Sequence, residues 1–320
     1  MTDGHTRNAG PRSSAVLIAL LAALALPAAA GAASPPSLST GPARQLSYSS
    51  VTLTGSINPR GQDTTYFFQY GPTRAYGSQT GLADAGAGSK AVHVSLSVGG
   101  LQPVSRYHYR LIAVNATGAS TGGDGTFTTT AVPLSLQILA APNPVPFGGS
   151  ATVQGTLSGT GNGNRAVVLQ ANPFPYTQGF ANLGNPQLTN STGTFAFPVL
   201  GLAQATQFRV VTAGSPLVAS PVIIEGVTVR VSAHVARTRR RHYARIYGTV
   251  TPAEDGMQIG ILKVSHGRYV LVAGTILRHG SASSSRFSRV VHVTSGIYRV
   301  LARVTDGAHS SAYGAPLRIG

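Results

Sequence analysis

The sequence has no cysteine, no tryptophan, only eight acidic residues and, among its basic residues, only two lysines, Lys90 and Lys263. Without cysteine there is no disulfide, thiol nucleophile, iron–sulfur cluster or Cys-ligated zinc, so packing alone must hold each domain together. The shortage of acids is the tighter limit. Beyond the first thirty residues only Asp63, Asp84, Asp124, Glu225, Glu254, Asp255 and Asp306 remain. Glycoside hydrolysis takes two facing carboxylates about 5–10 Å apart, and calcium takes several clustered acidic oxygens. Glu254 and Asp255 are chain neighbours, which point opposite ways in a strand, and their Thr251-Pro252-Ala253-Glu254-Asp255-Gly256 setting reads as a turn. The seven acids show no cluster in sequence. Both lysines lack the preceding glycine of a phosphate loop, and no His-Glu-x-x-His helix occurs. Gly118-Ala119-Ser120-Thr121-Gly122 matches G-x-S-x-G, but it leads through glycines into strand-like Thr126-Phe127-Thr128 rather than into a helix. Gly159-Thr160-Gly161-Asn162-Gly163 reads as a hairpin turn. Asp306, His309 and Ser311 supply triad residue types in one short stretch, yet a triad is defined by spatial roles. No catalytic residue, metal ligand or cofactor is expected, and the chain reads as a non-enzyme.

What is present is turn and strand chemistry. Thirty-nine glycines and twenty prolines without a collagen period, amid Ser, Thr and Val, point to short strands joined by many turns. The N-terminus differs: Arg7 and Arg12 precede the apolar run Ala15–Leu26, Pro27 breaks it, and small residues follow to Ala33. This is the pattern of a secretory signal helix over residues 1–32, shorter than the roughly 20 apolar residues of a comfortable membrane span. Contact with a membrane is expected only if that segment stays uncleaved.

Two fragments recur. Leu53-Thr54-Gly55-Ser56-Ile57 returns as Val153-Gln154-Gly155-Thr156-Leu157 and Ile246-Tyr247-Gly248-Thr249-Val250. Tyr109-Arg110-Leu111-Ile112 returns as Phe208-Arg209-Val210-Val211 and Tyr298-Arg299-Val300-Leu301. Both step by about 100 residues, the size of a small sandwich. The expectation is all-β: three tandem β-sandwich domains over 37–131, 132–226 and 227–320, with short joints near Val132-Pro133 and Glu225-Gly226. In Tyr107–Val114 the odd positions should face the core and His108 and Arg110 water, with the alternation breaking at Ile112.

Leu101-Gln102-Pro103-Val104-Ser105-Arg106-Tyr107 resembles the L-x-P-x-x-x-Y stretch of fibronectin type III domains, as do Asn58-Pro59, Thr65–Gly71, Tyr76-Gly77 and Thr126–Thr129 around it. The resemblance covers most of residues 37–131 and is to the repeats found in secreted bacterial proteins. It implies a structural tyrosine corner at Leu101, Pro103 and Tyr107, in which the tyrosine hydroxyl bonds backbone a few residues upstream. The family's usual core tryptophan is absent. Residues 132–226 and 227–320 resemble generic immunoglobulin-like modules.

Charge is uneven. Residues 37–131 carry six basic and three acidic side chains, 132–226 two and one, and 227–320 fourteen and three. The last third holds the run Arg237-Thr238-Arg239-Arg240-Arg241-His242-Tyr243-Ala244-Arg245, placed by pattern on the turn between the module's first two strands. A solvated turn is one reading. The other is a polyanion-binding patch of Arg237, Arg239, Arg240, Arg241 and Arg245, because the guanidinium fork matches phosphate and carboxylate, with stacking from Tyr243 and Tyr247. Partners would be anionic cell-envelope polymers or extracellular matrix; export argues against a specific nucleic acid. The six histidines of this module read as solvated surface groups. The aromatic, Pro-rich loop Asn172–Phe180 reads as an edge cover, with a glycan- or peptide-binding surface as the alternative. Asn115-Ala116-Thr117 and Asn190-Ser191-Thr192 fit turns as well as glycosylation acceptors. The expected function is that of a secreted or cell-surface structural or adhesive protein; the alternative is a carbohydrate-binding accessory module or part of an extracellular hydrolase system.

Overall fold

The computed structural model describes residues 33–320; the signal segment expected over 1–32 lies outside the described residues. Every regular element among the described residues is a strand. They fall into two compact units, one running up to Gln45 and adding Val51–Val98 and Arg106–Phe127, the other made of Leu46–Ser50, Gly99–Ser105 and Thr128–Gly320.

The first unit carries β1 (Ser37–Thr40), β2 (Val51–Asn58), β3 (Thr64–Gly71), β4 (Ser78–Gln79), β5 (Ala83–Gly86), β6 (Val92–Val98), β7 (Arg106–Asn115), β8 (Gly118–Thr121) and β9 (Gly125–Thr128). They pair antiparallel as β1-β2-β6 and as β4-β3-β7-β8, with β5 on β3 and β9 on β7. Strand β2 buries Val51, Leu53, Gly55 and Ile57 and half-exposes the residues between, as one-sided burial requires. On β7 the buried set is Tyr109, Leu111 and Ala113, joined by Ile112. His108 differs from expectation: its side chain is 18% exposed and held by a carboxylate. The turn after β2 is closed by Arg60 and Gly61 at φ 57° and 79°, the left-handed region that favours glycine. Gly118–Thr121, the G-x-S-x-G match, is the returning strand of a hairpin with β7.

The second unit holds two further sandwiches. One has β10 (Ser135–Ala141), β11 (Val145–Pro146), β12 (Gly149–Ser158), β13 (Ala166–Pro173), β14 (Ala181–Asn182), β15 (Gln187–Leu188), β16 (Thr194–Leu202), β17 (Thr206–Thr212) and β18 (Ile223–Glu225). Its sheets are β10-β12-β16 and β14-β13-β17-β18, with β15 on β13. After β19 (Val227–Thr228) the other has β20 (Arg230–Arg237), β21 (Tyr243–Thr251), β22 (Gln258–Ser265), β23 (Arg268–Ile276), β24 (Arg278–Ser281), β25 (Ser284–His292), β26 (Gly296–Arg303), β27 (Ala312–Tyr313) and β28 (Leu317–Ile319). Its sheets are β20-β21-β25-β24 and β23-β22-β26-β27, with β28 on β26. The joint is tight. Strand β19 pairs in parallel with β11, Val227 packs in the core of Leu157, Phe197 and Phe208, and Val229 already packs in the core of Ile246, Phe287 and Tyr298.

The repeated fragments have physical causes. Gly55, Gly155 and Gly248 occupy the inward-facing parity of the second strand in each sandwich, beneath the first strand. A Cβ on Gly55 would lie 2.9 Å from the Ser39 carbonyl oxygen; on Gly155 and Gly248 it would run into the carbonyls of Gln137 and Ser232 and meet the rings of Phe195 and Phe287 at 2.7 and 2.9 Å. Only glycine lets the strands approach so closely. The recurrent arginine faces outward beside an aromatic ring. Arg110 Nε donates to Gln69 Oε1 (2.9 Å) and its guanidinium lies 4.5 Å from the Tyr76 ring centre; Arg209 does the same with Gln170 (2.8 Å) and Phe180 (4.3 Å). Arg299 has Tyr313 at 5.5 Å and donates to the Tyr269 hydroxyl (3.1 Å).

Candidate functional site

The basic run occupies the β20–β21 turn. Thr238 Oγ1 sits 3.1 and 2.8 Å from the Arg240 and Tyr243 carbonyl oxygens, and His242 closes the turn at φ 62°. Arg239, Arg240 and Arg241 project from it, all exposed, with Arg237 at the end of β20. Arg245 is exposed on the outer face of β21, because its neighbours Ala244 and Ile246 are buried. Two arginines lie over tyrosines: Arg240 is 4.0 Å from the Tyr243 ring centre and Arg245 is 4.8 Å from that of Tyr247. Tyr243 and Tyr247 are thus covered by cations of their own strand pair, which fixes the guanidinium planes on the face.

The face is wider than the sequence run. Strand register sets Tyr243 opposite His292, Tyr247 opposite both His234 and Ser288, and Thr249 opposite Arg286, which itself faces Arg278. An open groove of about 310 Å³ is lined by Ser232, His234, Arg245, Tyr247, Arg286 and Ser288. His292 packs edge-on against Tyr243 at 5.3 Å. Arg286 is remote from Arg245 in sequence, so only strand pairing brings it to the same groove, with Arg278 in register beyond it.

The acids of this sandwich are engaged elsewhere. Asp255 is hydrogen-bonded by the buried Ser285 hydroxyl and by His279 Nδ1 (3.2 Å). Glu254 and Asp306, which form no cluster in the sequence, meet at His309. Its Nδ1 lies 3.0 Å from Glu254 Oε1 and 2.6 Å from Asp306 Oδ2, and its Nε2 is 2.8 Å from the carbonyl oxygen of Ala203 in the neighbouring sandwich. Asp306 Oδ1 also accepts the backbone N–H groups of Ala308 and His309. Burial, and then the Asp306 charge, push the Glu254 carboxyl above its usual range. Burial works against a charged His309, but the hydrogen bonds to Asp306 and Ala203 outweigh it and raise the imidazole. The expectation that the last module's histidines are solvated fails at His309, whose side chain is 10% exposed. The cause is a contact across 106 residues, invisible to local pattern. The three groups bring ligand atoms within 4.8 Å of one another. A nitrogen and an oxygen 2.6 Å apart share a proton; ligands on one tetrahedral zinc, each about 2.0–2.2 Å from the metal, stand over 3 Å apart.

In the first unit Asp124 gathers partners: Arg74 Nε at 3.2 Å, His108 Nδ1 at 2.8 Å and the Tyr76 hydroxyl at 3.1 Å. Burial opposes its charge, but the bonds from His108 and Tyr76 and the charges of His108 and Arg74 hold the carboxyl below its usual range. This ties the β3–β4 connection to β7. Of the corner residues, Leu101 is buried and Pro103 half-buried, while Tyr107 stacks on Phe127 with ring centres 5.4 Å apart. A hydroxyl-to-backbone bond of that type occurs at Tyr298, which donates to the Thr294 carbonyl (3.1 Å) and accepts its N–H (3.0 Å). The tyrosine of the repeat Tyr298-Arg299 was its sequence signal. In the aromatic loop, Phe180 lies under Arg209, and Phe174 would meet a Cβ on Gly307 at 2.9 Å. Two of its rings therefore serve contacts inside the protein.

No family model and no curated protein matches the chain. Among solved structures it is similar to the FN1–FN3 domains of chicken CNTN1 (17% identity, 88% of this chain and 97% of that one, TM-score 0.30). It is also similar to tandem domains of titin (14%, 89% and 99%, TM-score 0.37) and to a tetra-tandem repeat in the extending region of a large adhesion protein (14%, 90% and 74%, TM-score 0.29). At these scores the likenesses carry no argument about function. The fold rests on its own strand order: β1-β2-β6, β10-β12-β16 and β20-β21-β25-β24 form one sheet of each module, and the pairs β3-β7, β13-β17 and β22-β26 carry the other. The described residues form tandem β-sandwich modules of fibronectin type III- and immunoglobulin-like strand order.

Proposed function

We propose that the chain is an exported, non-catalytic modular protein, held on anionic envelope or matrix polymers by the outer face of sheet β20-β21-β25-β24. The observation that carries this is the absence of compensation. Among the described residues, no ion pair joins Arg237, Arg239, Arg240, Arg241, Arg245, Arg278 or Arg286 to a carboxylate, and the sandwich's three acids are bound to His279, Ser285 and His309 instead. A field of one sign on an open face attracts a flexible polyanion without needing a pocket. Export is supported by the N-terminal basic-apolar-small pattern. The lack of cysteine and the scarcity of acids favour a binding role over catalysis.

The test uses the full mature chain on immobilised polyphosphate and on heparin across a salt series. Retention should fall with salt, and the slope against log salt should drop by about one for each phosphate contact removed. Replacing Arg239, Arg240 and Arg241 with serine tests the turn; replacing Arg245 and Arg286 tests the face. Unchanged retention in both variants would dismiss the reading.

A further inference from the structure

The connection between the second and third sandwiches is built around one histidine. The loop after β26 lies along β19: Ser310 N–H donates to the Val227 carbonyl (2.7 Å), and the Ser310 carbonyl accepts Val229 N–H (3.1 Å). The same loop reaches the turn between β16 and β17, where Ala205 N–H donates to the Ala308 carbonyl (2.8 Å). Beside that bond His309 Nε2 meets the Ala203 carbonyl, and the Phe147 ring, 5.9 Å away, covers the imidazole.

Proton counting decides what state this arrangement needs. A carbonyl oxygen only accepts, so Nε2 must carry a hydrogen. Asp306 Oδ2 at 2.6 Å, acceptor when ionised, asks for a second hydrogen on Nδ1. A neutral imidazole has one N–H, so one nitrogen lone pair of a side chain only 10% exposed would face an acceptor. Protonating Glu254 does not relieve this, because the Asp306 oxygen still faces the ring. While Asp306 is ionised, only the imidazolium satisfies both sides.

We propose that His309 is a proton-operated clasp: as imidazolium it ties the Asp306 and Glu254 carboxylates of the third sandwich to the Ala203 carbonyl of the second, and loss of its proton releases the loop. The charged groups acting on it are Glu254, from the β21–β22 turn, and Asp306, on its own loop; from the second sandwich it meets a backbone carbonyl and an aromatic ring. Asp255 is turned to Ser285 and His279. The raised imidazole fixes the direction: the clasp is closed in mild acid and opens as pH rises past the range of an ordinary histidine. The inference stands apart from polyanion binding and uses none of its readouts.

The cysteine-free chain allows a direct test. Spin labels on Ser191→Cys and Ser283→Cys, both exposed and one on each sandwich, report the distance distribution in the full mature chain. The expected result is one narrow distance at about pH 5.5 that broadens by about pH 9, with a midpoint equal to the His309 titration read by NMR in the same protein. His309→Gln should give the same width at both pH values, while Glu225→Gln should keep the wild-type response. A wild-type width that does not change with pH overturns the clasp even if the variants fail to fold. So does a response that survives His309→Gln or disappears in Glu225→Gln.

Discussion

The carbonyl of Ser232 crosses the inner side of Gly248 so closely that no Cβ fits between them. The obstacle is backbone on a paired strand, which cannot swing away as a side chain does. Gly248→Ala should therefore destabilise the third sandwich by about 1–3 kcal/mol, the range for inserting a methyl into a packed site. Gly260→Ala is the contrast, since its nearest neighbour would be a leucine methyl at 3.4 Å and it should change stability by less than about 0.5 kcal/mol. Urea unfolding of the two variants separates them.

Glu225 ends β18 with both carboxylate oxygens buried and, among the described residues, without a hydrogen-bond partner, and burial pushes its carboxyl up to about 7. The folded protein thus binds this proton more tightly than the unfolded chain does. Stability from this group is fully present below its ordinary value of 4.5 and is lost as pH rises toward 7. The raised Glu254 and His309 act with the same sign. The second unit should therefore lose stability from mild acid to neutrality, and Glu225→Gln should recover on the order of 3 kcal/mol near pH 8. Unfolding midpoints across that pH range, flat in the wild type, would contradict the assignment.

Legibility in sequence followed the range of the interactions. The glycine and arginine markers repeat because each is imposed by a neighbouring strand in the same module, so their spacing reported module size. The Arg239–Arg241 turn was readable because its flanking strands alternate locally. The widening of the basic face to Arg278 and Arg286 needed the β21–β25 and β24–β25 registers. Asp306 and His309 stand out together in one short stretch of sequence, but that Glu254 and the Ala203 carbonyl join them depends on how two strand connections and a second sandwich converge. Phe174 looked like an edge cover or ligand platform, and its contact with Gly307 could not be foreseen from composition.

Tyr298 is 1% exposed and its hydroxyl serves both the N–H and the carbonyl of Thr294. Tyr298→Phe keeps the ring and strands both groups, so a loss of about 1–3 kcal/mol is expected. The corner inferred at Tyr107 predicts a loss of about 1 kcal/mol for Tyr107→Phe in the first sandwich. Equal stability of Tyr107→Phe and wild type in thermal unfolding would remove that corner and leave Tyr107 as a stacking partner of Phe127.

Leu262 stands opposite Arg299 in register, where Gln69 stands opposite Arg110 and Gln170 opposite Arg209. In the first two sandwiches the glutamine oxygen accepts the arginine Nε–H; in the third, Arg299 Nε is buried and, among the described residues, has no hydrogen-bond partner. The third module therefore carries a polar group that its own repeat pattern knows how to satisfy. Leu262→Gln gives up part of a buried leucine's apolar contribution, about 1.5–3 kcal/mol in full, but supplies the missing acceptor to a charged donor. The substitution should cost clearly less than Leu262→Ala. The sharper reading is a double-mutant cycle that combines Leu262→Gln with Arg299→Ala. Removing the arginine should cost about 1–2 kcal/mol more in the Leu262→Gln background than in the wild type, where Nε has no acceptor to lose. An equal cost in the two backgrounds would mean that the arginine marker recurs for its stacking on Tyr313 alone.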